Sequence, residues 1–497
     1  MKLFLEGNIP INRYYVQMLC MIYFPGVKFA ESADAEDDGL RLSAKVIRDG
    51  DVVTAECHLK ALEKEGSAVK EKTVGDGITE DRAVKLAIGS AVLAIGEEVL
   101  SYRPSWGMLI GVRPSKVAME KLLEGHSKTK VRKMLRNEFS VTVKKAALAT
   151  DVAIAERAII GNPDKKDCSI YVSIPFCPTR CAYCSFVSYT SKKLLSLIPE
   201  YLIRLCADID SAFALAKKHG LRVKTIYIGG GTPTILSAPQ LEMLLSKIND
   251  CVDVWGLEEF TLEAGRPDTI DAEKLAVAAK YGVTRMSVNP QSLCDKVLSG
   301  VGRNHTTEEF YRAYDIARSS GIKYINTDLI AGLPGDNFKT FADTFDKILT
   351  LAPDNITVHT FCVKKSADLM QQGPSIFSRK GGDAVKCVDY SQLRAMQEGY
   401  KPYYMYRQKN TVGNLENVGF TKPGAEGLYN IYMMEEVHTI IAAGAGAVTK
   451  LVEYKCAGEG PTRIKRLFNP KYPFEYLKND NTEEIARAAE EFFAEQI

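Results

Sequence analysis

Between residues 165 and 365 the chain alternates short apolar runs with longer amphipathic stretches. The apolar runs are rich in β-branched residues and predict six strands, at 169–176, 224–229, 259–264, 285–290, 324–331 and 355–361. The stretches between the runs predict helices at 198–219, 238–250, 272–281, 306–320 and 338–351. Strands that alternate with helices in this way indicate an α/β fold with a parallel sheet. Six such units suit an open, partial (β/α)6 barrel better than a closed eight-stranded one.

The segments on either side follow different patterns. Two alternating runs at 40–47 and 52–59 flank an Asp-Gly turn and predict a β-hairpin. Further helices are predicted at about 80–101, 114–123, 128–138 and 141–160, the third capped near Ser127, and a closing amphipathic helix at 482–497. The sequence therefore predicts three parts. They are an N-terminal α+β domain of unknown role at 1–160, the partial barrel at 165–365, and a C-terminal mixed, partly helical domain at 370–497 that covers the substrate.

Composition favours an intracellular enzyme. A chain of 497 residues, 46% of them hydrophobic, can build two to four packed domains. Its twelve cysteines are spread along the chain, and the N-terminal apolar run is too short for a secretory signal or a membrane span, so we expect reduced thiols in the cytoplasm. A net charge of +2 gives no compositional support for binding to nucleic acid or to a membrane surface.

Three cysteines lie close together directly after the first predicted strand of the barrel. Cys177, Cys181 and Cys184 follow a Cys-x3-Cys-x-Tyr-Cys spacing, so one short loop presents three thiolates and leaves a fourth ligand position open. Structural iron-sulfur clusters usually have four cysteine ligands, and structural zinc sites are closed as well. The loop therefore predicts a cluster whose last iron binds a small molecule. The alternatives are a chance group of small apolar cysteines and a zinc knuckle.

A glycine run, Gly-Gly-Gly-Thr-Pro-Thr at 229–234, follows the second predicted strand. Glycines without side chains let backbone groups approach a ligand closely, although a turn that needs a positive φ would explain them equally well. Both motifs lie just past the carboxyl ends of strands, where parallel α/β proteins assemble their active sites. We therefore expect the glycine loop and the cysteine loop to belong to one site.

These motifs resemble those of radical S-adenosylmethionine (SAM) enzymes. From about residue 168 to 450 the chain is similar to the oxygen-independent coproporphyrinogen III oxidase family, most closely to its HemZ-type coproporphyrinogen dehydrogenase branch. The similarity is carried by Tyr-Val-Ser-Ile-Pro-Phe-Cys, by the glycine loop and by four later motifs. The later motifs are Thr-Leu-Glu-Ala-Gly-Arg-Pro-Asp with Glu263, Ser-Val-Asn-Pro-Gln-Ser with Gln291, Gly-Arg-Asn-His with Arg303, and Thr-Asp-Leu-Ile-Ala-Gly-Leu-Pro-Gly with Asp328.

The resemblance implies a [4Fe-4S] cluster on the three cysteines and SAM chelated to its open iron. The residues that match SAM contacts of the family by position are Tyr171, Tyr183, Gly230, Gly231, Thr232, Glu263, Gln291, Arg303 and Asp328. Because some family members bind two SAM molecules, Gln291, Arg303 and Asp328 would contact the second. Carboxylates can accept hydrogen bonds from an ammonium or a ribose, and an arginine can pair with a methionyl carboxylate. Taken singly, Glu263 could instead pair with a cation, Arg303 could form a surface ion pair, and His305 could make a local hydrogen bond.

The family's activity would make the protein an anaerobic oxidative decarboxylase that converts coproporphyrinogen III to protoporphyrinogen IX in heme biosynthesis. In that reaction the cluster passes an electron to SAM, and the resulting 5'-deoxyadenosyl radical takes hydrogen from the β-carbon of a propionate. Loss of a further electron and of CO2 then leaves a vinyl group on the ring. The expected partners are a tetrapyrrole and a small electron-transfer protein that reduces the cluster. Cations that could bind the propionates, or simply be solvated, are Lys364, Lys365, Arg407 and Lys409.

One departure from the best-characterised oxidases leaves other reactions open. Phe186 stands where they carry a further cysteine, and the same Cys-x-Phe ending occurs in heme chaperones of the family and in related heme-processing enzymes. The chaperones' His-Asn-x-x-Tyr-Trp motif is missing from this sequence, whereas 406–410 and 413–419 resemble the HemZ branch. The alternatives are therefore a heme-binding chaperone that transfers no hydrogen, and a radical SAM enzyme that acts on heme by methyl transfer and ring opening.

Overall fold

The structure of the protein is a computed structural model that describes most of the chain. The described residues are 1–24, 27–30, 39–61, 63–75, 77–110, 113–184, 186, 188–362, 382–408, 411–454 and 462–495. The chain forms two compact units, each made of separate stretches of sequence. The first unit comprises Met1–Ala153, Gln372–Lys386 and Met405–Glu416, and the second comprises Ile154–Gln371, Cys387–Tyr404 and Asn417–Ile497. The division into parts at 1–160, 165–365 and 370–497 stays a prediction.

The first unit is an α+β structure. Its N-terminal stretch contains β1 (Lys2–Gly7), α1 (Arg13–Tyr23), β2 (Lys28–Phe29), β3 (Leu40–Asp49), β4 (Val52–Ala61), β5 (Lys64–Thr73), α2 (Glu80–Leu100), α3 (Pro114–Leu123), α4 (Lys128–Phe139) and the start of α5 (Val143–Ile160). The strands form one sheet in the order β2-β1-β3-β4-β5. Alternate residues of β3 and β4 are buried with α1 and α2 in a common core, as the period of two predicts.

Two local predictions for this unit are confirmed. The strands β3 and β4 pair antiparallel around Gly50, whose φ of 56° is easily adopted by glycine. The hydroxyl of Ser127 accepts a hydrogen bond from the backbone N–H of Lys130 at 3.3 Å and so caps α4.

The sheet of the second unit has parallel strands at its centre. They are β6 (Asp167–Ile174), β7 (Arg222–Gly230), β8 (Glu259–Glu263), β9 (Arg285–Ser287), β10 (Tyr324–Ala331), β11 (Asn355–Thr360) and β14 (Thr439–Ala443). Their order is β11-β10-β9-β8-β7-β6-β14. The first six confirm the strands that the sequence predicts, and the α/β fold class is confirmed with them. The seventh, β14, is a new member of the parallel set, paired with β6.

Further strands extend this sheet on both sides. They are β12 (Lys401–Arg407) and β13 (Glu416–Thr421) beyond β11, and β15 (Val448–Glu453) and β16 (Arg463–Phe468) beyond β14. The helices of this part of the chain are α6 (Lys192–Leu195), α7 (Ile198–Lys218), α8 (Ala238–Cys251), α9 (Ala272–Lys280), α10 (Asp295–Gly300), α11 (Thr307–Ser319), α12 (Phe338–Leu351), α13 (Gly382–Gln397), α14 (Leu428–Glu435), α15 (Pro473–Lys478) and α16 (Thr482–Ala494). None of the described helices has the length and apolar character that crossing a bilayer requires.

The two faces of the parallel sheet differ in chemistry. Apolar side chains that point to the helices are almost completely buried, for example Ile226 on β7, Phe260 on β8 and Val358 on β11. The alternate positions form a polar inner face, and its members are Ser169, Tyr171, Ser173, Thr225, Tyr227, Glu259, Thr261, Glu263, Arg285, Ser287, Asn326, Asp328, Asn355, Thr357 and His359. A parallel sheet with helices on both faces would be apolar on both. The polar inner face therefore marks the concave side of a partial barrel that can receive polar ligands.

An ion pair closes the inner face near the amino ends of the strands, and we call it the floor. Arg285 donates its Nε to Glu259 Oε2 at 3.1 Å, and both side chains are almost completely buried. Its other nitrogens donate to Asn326, to Asn355 and to two backbone carbonyls in the segment before α14. The Glu259 carboxylate also accepts hydrogen bonds from the first two backbone N–H groups of α14, where the helix dipole favours a negative charge. The floor thereby fixes α14 against the inner face.

Candidate functional site

The cysteine loop leaves the carboxyl end of β6, at the opposite end of the inner face from the floor, and we call this end the mouth. The loop is closed at its base, because Cys177 N donates to Tyr189 O at 3.1 Å and Tyr189 N donates to Pro175 O at 2.9 Å. A tight turn brings Cys184 N to Cys181 O at 3.0 Å, and Ala182 N donates to a backbone carbonyl of the segment after α10 at 2.9 Å. The backbone alone thus holds the three thiols on one short loop.

The thiols themselves are sheltered from solvent. Cys177 and Cys181 are each 7% exposed, and Cys184 is half-buried. Burial raises the pKa of Cys177 to about 11 and also raises the pKa of Cys184. Since iron binds thiolates, loading this loop with metal must release protons.

The arrangement of these thiols distinguishes between kinds of metal site. Among the described residues, no three Cys, His, Asp or Glu side chains are grouped to hold a single metal ion. A zinc knuckle requires its ligands to share one ion, whereas each cysteine of a [4Fe-4S] cluster binds a different iron. Three thiols on one loop, with a fourth position open, are a donor set that fits a [4Fe-4S] cluster.

The glycine loop lies directly against the cysteine loop. Gly231 N donates to Ile174 O and Thr232 N donates to Phe176 O, both at 2.8 Å. A Cβ on Gly231 would lie 2.5 Å from Phe176 O and 3.0 Å from the Cys177 sulfur, and Gly230 has a φ of 111°. Glycine is thus required both by the turn and by close approach, and the close neighbour is the cysteine loop itself. Thr232 Oγ1 lies 3.2 Å from Cys177 Sγ.

Two predicted carboxylates lie near each other at the mouth. Burial, together with the negative charge of Asp328, raises the pKa of Glu263 to about 8, although Tyr227 and the Gly230 N–H donate hydrogen bonds to the carboxylate. Asn289 Nδ2 donates to Asp328 Oδ2 at 2.9 Å, and His359 Nε2 lies 3.6 Å from the same oxygen. Near neutral pH Glu263 therefore retains its proton until a cation approaches.

Gln291 is anchored to the strand that carries Asp328. Its N–H donates to Asp328 O at 3.1 Å, and its own carbonyl accepts from Ile330 N at 3.0 Å. Its φ of 66° is unusual for a residue other than glycine, and its buried Oε1 has no hydrogen-bond partner in the structure. A strained residue with an unsatisfied polar atom is expected where a ligand supplies the missing donor.

Three tyrosines stack beneath these residues. Each ring contacts the other two, with centroid distances of 4.6 Å for Tyr227–Tyr429, 6.1 Å for Tyr171–Tyr227 and 6.3 Å for Tyr171–Tyr429 and interplanar angles of 23°, 17° and 17°. Tyr429 comes from the first turn of α14, which the floor holds in place. Of the three, the sequence motifs pointed only to Tyr171, because Tyr227 and Tyr429 lie outside every matched motif.

Arg303 is buried, with 6% exposure, so the interpretation as a surface ion pair is wrong. All five of its N–H donors have partners. Nε donates to His305 Nδ1, one terminal nitrogen to the carbonyls of Gly265 and Asn289, and the other to the hydroxyl of Tyr183 at 3.2 Å and to Cys181 Sγ at 3.9 Å. His305 therefore makes a local hydrogen bond. A methionyl carboxylate would have to displace one of these acceptors, and that contact stays a prediction.

Arg266 is a site residue that the sequence motifs did not predict, although it lies within the motif of Glu263. The side chain is 4% exposed and pairs with Asp268 through two hydrogen bonds, of 3.1 and 2.9 Å. Its remaining terminal nitrogen donates to Thr179 O at 3.1 Å and lies 3.8 Å from Cys181 Sγ. Burial of an arginine cannot be read from its residue type, since arginine is usually exposed.

Of the four cations predicted to bind propionates, only Arg407 lies among the described residues. Lys364, Lys365 and Lys409 lie outside the described residues. Arg407 belongs to the first unit, where it donates to the carbonyls of Leu109 and Asn414 and lies over the ring of Trp106, 5.4 Å from its centroid. Its role as a substrate ligand stays a prediction.

Comparison with known proteins gives consistent results. Residues 171–348 match the radical SAM superfamily. The chain is 37% identical to the oxygen-independent coproporphyrinogen-III oxidase-like protein HemZ of Bacillus subtilis, over 83% of this chain and 83% of that protein. It is 30% identical to the heme chaperone HemW of Bacillus subtilis, over 64% of this chain and 80% of that protein. The structure of coproporphyrinogen III oxidase (HemN) from Escherichia coli is similar in fold, with a TM-score of 0.50 and 19% identity over 67% of this chain and 73% of that one.

Proposed function

Because this chain belongs to the radical SAM family of oxygen-independent coproporphyrinogen-III oxidase-like proteins, in the HemZ branch, we propose that it oxidatively decarboxylates coproporphyrinogen III to protoporphyrinogen IX. A bound cluster and SAM would supply the 5'-deoxyadenosyl radical that takes a hydrogen atom from the propionate β-carbon, after which the substrate loses CO2 and passes one electron to an external acceptor. The family implies both cofactors. The proposal includes the binding of one or two SAM molecules.

The observation that carries the proposal is the contact between the cysteine loop and the glycine loop. Cys177, Cys181 and Cys184 would hold the cluster, and the glycine loop, whose Thr232 hydroxyl lies 3.2 Å from the Cys177 sulfur, would bind SAM beside it. Such a contact would place the two cofactors side by side. The stacked Tyr171, also a predicted SAM contact, would support the same molecule from the inner face.

The carboxylates at the mouth fit the charge of SAM. The ammonium group of SAM would approach Glu263, lower its pKa from about 8 and leave it ionised. Asp328 and the unsatisfied Oε1 of Gln291 would serve the second SAM, if one binds. The expected partners outside the chain are the tetrapyrrole and a small protein that reduces the cluster, in the cytoplasm, where thiols stay reduced.

A heme chaperone is the second candidate. It is favoured by the similarity to HemW over 80% of that protein's length and by Phe186. This residue is 66% exposed beside the cysteine loop, so it is available to contact a planar apolar ligand. A chaperone would bind heme and leave coproporphyrinogen unchanged.

Product analysis decides between these functions. The reconstituted protein is incubated without oxygen with SAM, dithionite and coproporphyrinogen III deuterated at the propionate β-carbons, and in parallel with heme. We expect vinyl product, CO2 and deuterium in 5'-deoxyadenosine, and no turnover with Cys184→Ala. Deoxyadenosine that contains no deuterium would exclude the decarboxylase. Heme binding without substrate-dependent deoxyadenosine would identify a chaperone, and turnover of heme alone would identify a heme-processing enzyme.

A further inference from the structure

Two buried guanidinium groups converge on one sulfur atom of the cysteine loop. Arg266 approaches Cys181 Sγ to 3.8 Å from the loop after β8, and Arg303 approaches it to 3.9 Å from the loop after α10. Both distances suit a hydrogen bond from nitrogen to sulfur. For the other two cysteines, the described contacts include no arginine at such a distance. Cys181 is therefore electrostatically different from Cys177 and Cys184.

The charges around this sulfur do not cancel among the described residues. Arg266 forms a two-point ion pair with Asp268 and is neutralised by it. In the part of the chain that the structure describes, no carboxylate lies within ion-pair distance of Arg303, whose acceptors are two carbonyls, a histidine nitrogen, a tyrosine hydroxyl and the sulfur. Burying an uncompensated cation is strongly unfavourable. Hence the site lacks an anion, and a Cys181 thiolate in a negatively charged cluster would supply it.

We propose that Arg266 and Arg303 are positioning residues that hold Cys181 as a cluster ligand and raise the reduction potential of the cluster. This rests on the cluster-binding part of the proposed function and is independent of the tetrapyrrole. Reduction transfers one electron from an external donor to the cluster, so it adds one negative charge and moves no heavy atom. A fixed, buried positive charge stabilises the reduced form more than the oxidised form, and hydrogen bonds to cluster sulfurs act in the same direction.

Arg266 has a second function in this arrangement, because the same terminal nitrogen also donates to the carbonyl of Thr179 at 3.1 Å. It thereby connects the first half of the cysteine loop to the loop after β8. The ion pair with Asp268 fixes the guanidinium plane in that direction. A lysine in this position would keep the charge and lose the fixed geometry, so the two contributions can be separated.

The neighbouring carboxylate allows a test with opposite signs. Arg266→Gln removes a positive charge near the sulfur, Asp268→Asn removes a negative charge, and the double variant restores the net charge of the wild type. The midpoint potential of the reconstituted cluster is measured by titration with dithionite and redox mediators, followed by electron paramagnetic resonance. Iron and sulfide content is measured in parallel. Arg204→Gln, which removes an arginine that pairs with Asp208 elsewhere in the unit, is the matched control.

We expect Arg266→Gln to lower the ratio of reduced to oxidised cluster at a fixed potential by about tenfold, which is a shift of 59 mV for a one-electron couple. Asp268→Asn should raise the ratio, the double variant should return close to the wild type, and Arg204→Gln should change nothing. Arg303→Gln should lower the ratio at least as far as Arg266→Gln, because Arg303 has no neutralising partner among the described residues. Arg266→Lys should retain most of the potential and bind iron less firmly.

Equal potentials for Arg266→Gln and Asp268→Asn in proteins with full iron content would overturn the proposal. If Arg266→Gln loses its cluster, Asp268→Asn still decides, because its expected effect is a gain. A protein that shows this order of potentials but does not convert coproporphyrinogen III would overturn the proposed reaction and leave this inference standing. A protein in which Cys181→Ala keeps a complete cluster would overturn the inference, because its sulfur would then be no ligand.

Discussion

The inner face of the partial barrel has a buried arginine at each end, and the two are balanced in different ways. At the floor, Arg285 uses all five donors and one of its acceptors is the carboxylate of Glu259. At the mouth, Arg303 also uses all five donors, but none of its acceptors is a carboxylate: they are two carbonyls, a histidine nitrogen, a tyrosine hydroxyl and a cysteine sulfur. A cation that the fold neutralises by itself stabilises structure, whereas one that it leaves uncompensated favours an anionic ligand. The fold thus neutralises the arginine at the floor by itself, and we expect the anionic ligand at the mouth.

The largest effect is expected at the mouth, where loss of a cysteine ligand should abolish the cluster. Replacing Cys177, Cys181 or Cys184 by Ala should abolish most iron and sulfide binding and the visible absorbance of the cluster, because three ligands are needed. Replacing Cys168, Cys206 or Cys294, which lie outside the loop, should leave the cluster intact. Iron analysis of the reconstituted variants checks both statements. Retention of the cluster in Cys184→Ala and its loss in Cys168→Ala would show that the ligands are wrongly assigned.

A substitution at the floor should change the stability of the protein rather than its iron content. Glu259→Ala leaves Arg285 buried without its carboxylate and the first N–H groups of α14 without an acceptor. We expect the free energy of unfolding of this unit to fall by about 3–5 kcal/mol, as for other buried pairs that lose one partner. Urea denaturation measures the loss. Arg303→Gln at the mouth, which breaks no ion pair among the described residues, is the comparison, and a similar loss in both variants would remove the distinction between the ends.

A substitution in the glycine loop should weaken SAM binding and spare the cluster. In Gly230→Val the valine must adopt a backbone φ of 111°, and its Cβ would lie 3.0 Å from Ile174 O. Backbone strain of this kind amounts to about 1–3 kcal/mol. We expect the affinity for SAM to fall by roughly tenfold to a hundredfold. Calorimetry with Glu263→Ala alongside, for which we expect a smaller loss, tests this. Wild-type affinity in both variants would exclude the loop from the SAM site.

The smallest expected effect is a pH dependence. Since the pKa of Glu263 is raised to about 8, the folded protein holds a proton there that the unfolded chain has already lost above its ordinary value of 4.5. The stability contribution is therefore complete below pH 4.5 and is lost as the pH rises to about 8. An approaching ammonium must displace this proton, so SAM affinity should rise up to about tenfold per pH unit below 8. Glu263→Gln should show no such rise in calorimetry, and a rise that persists in this variant would assign the proton to another group.

The sequence predicts the regular elements of the second unit well because strands and helices leave periodic signals. It misses β14, because Thr439–Ala443 is a short buried run among small residues and lies far from the repeating units. Glu263, Gln291 and Asp328 could be located from motifs that follow strands. The contacts of Arg266 and Arg303 with Cys181 could not be predicted from the sequence. They depend on how the loops after β8 and α10 turn toward the cysteine loop. The motif of Arg303 predicts a contact with a ligand, whereas its contacts with the protein depend on the tertiary fold.

The attachment of α14 to the floor has a consequence for how this protein can be divided. Glu259 and Arg285 bind the start of α14 and the segment before it, and β14 protects the edge of β6. A fragment that stopped at residue 365 would therefore expose a buried ion pair to water and leave an unprotected strand edge that favours aggregation. The smallest piece able to fold as a partial barrel must therefore include α14 and β14 and extend at least through Ala443.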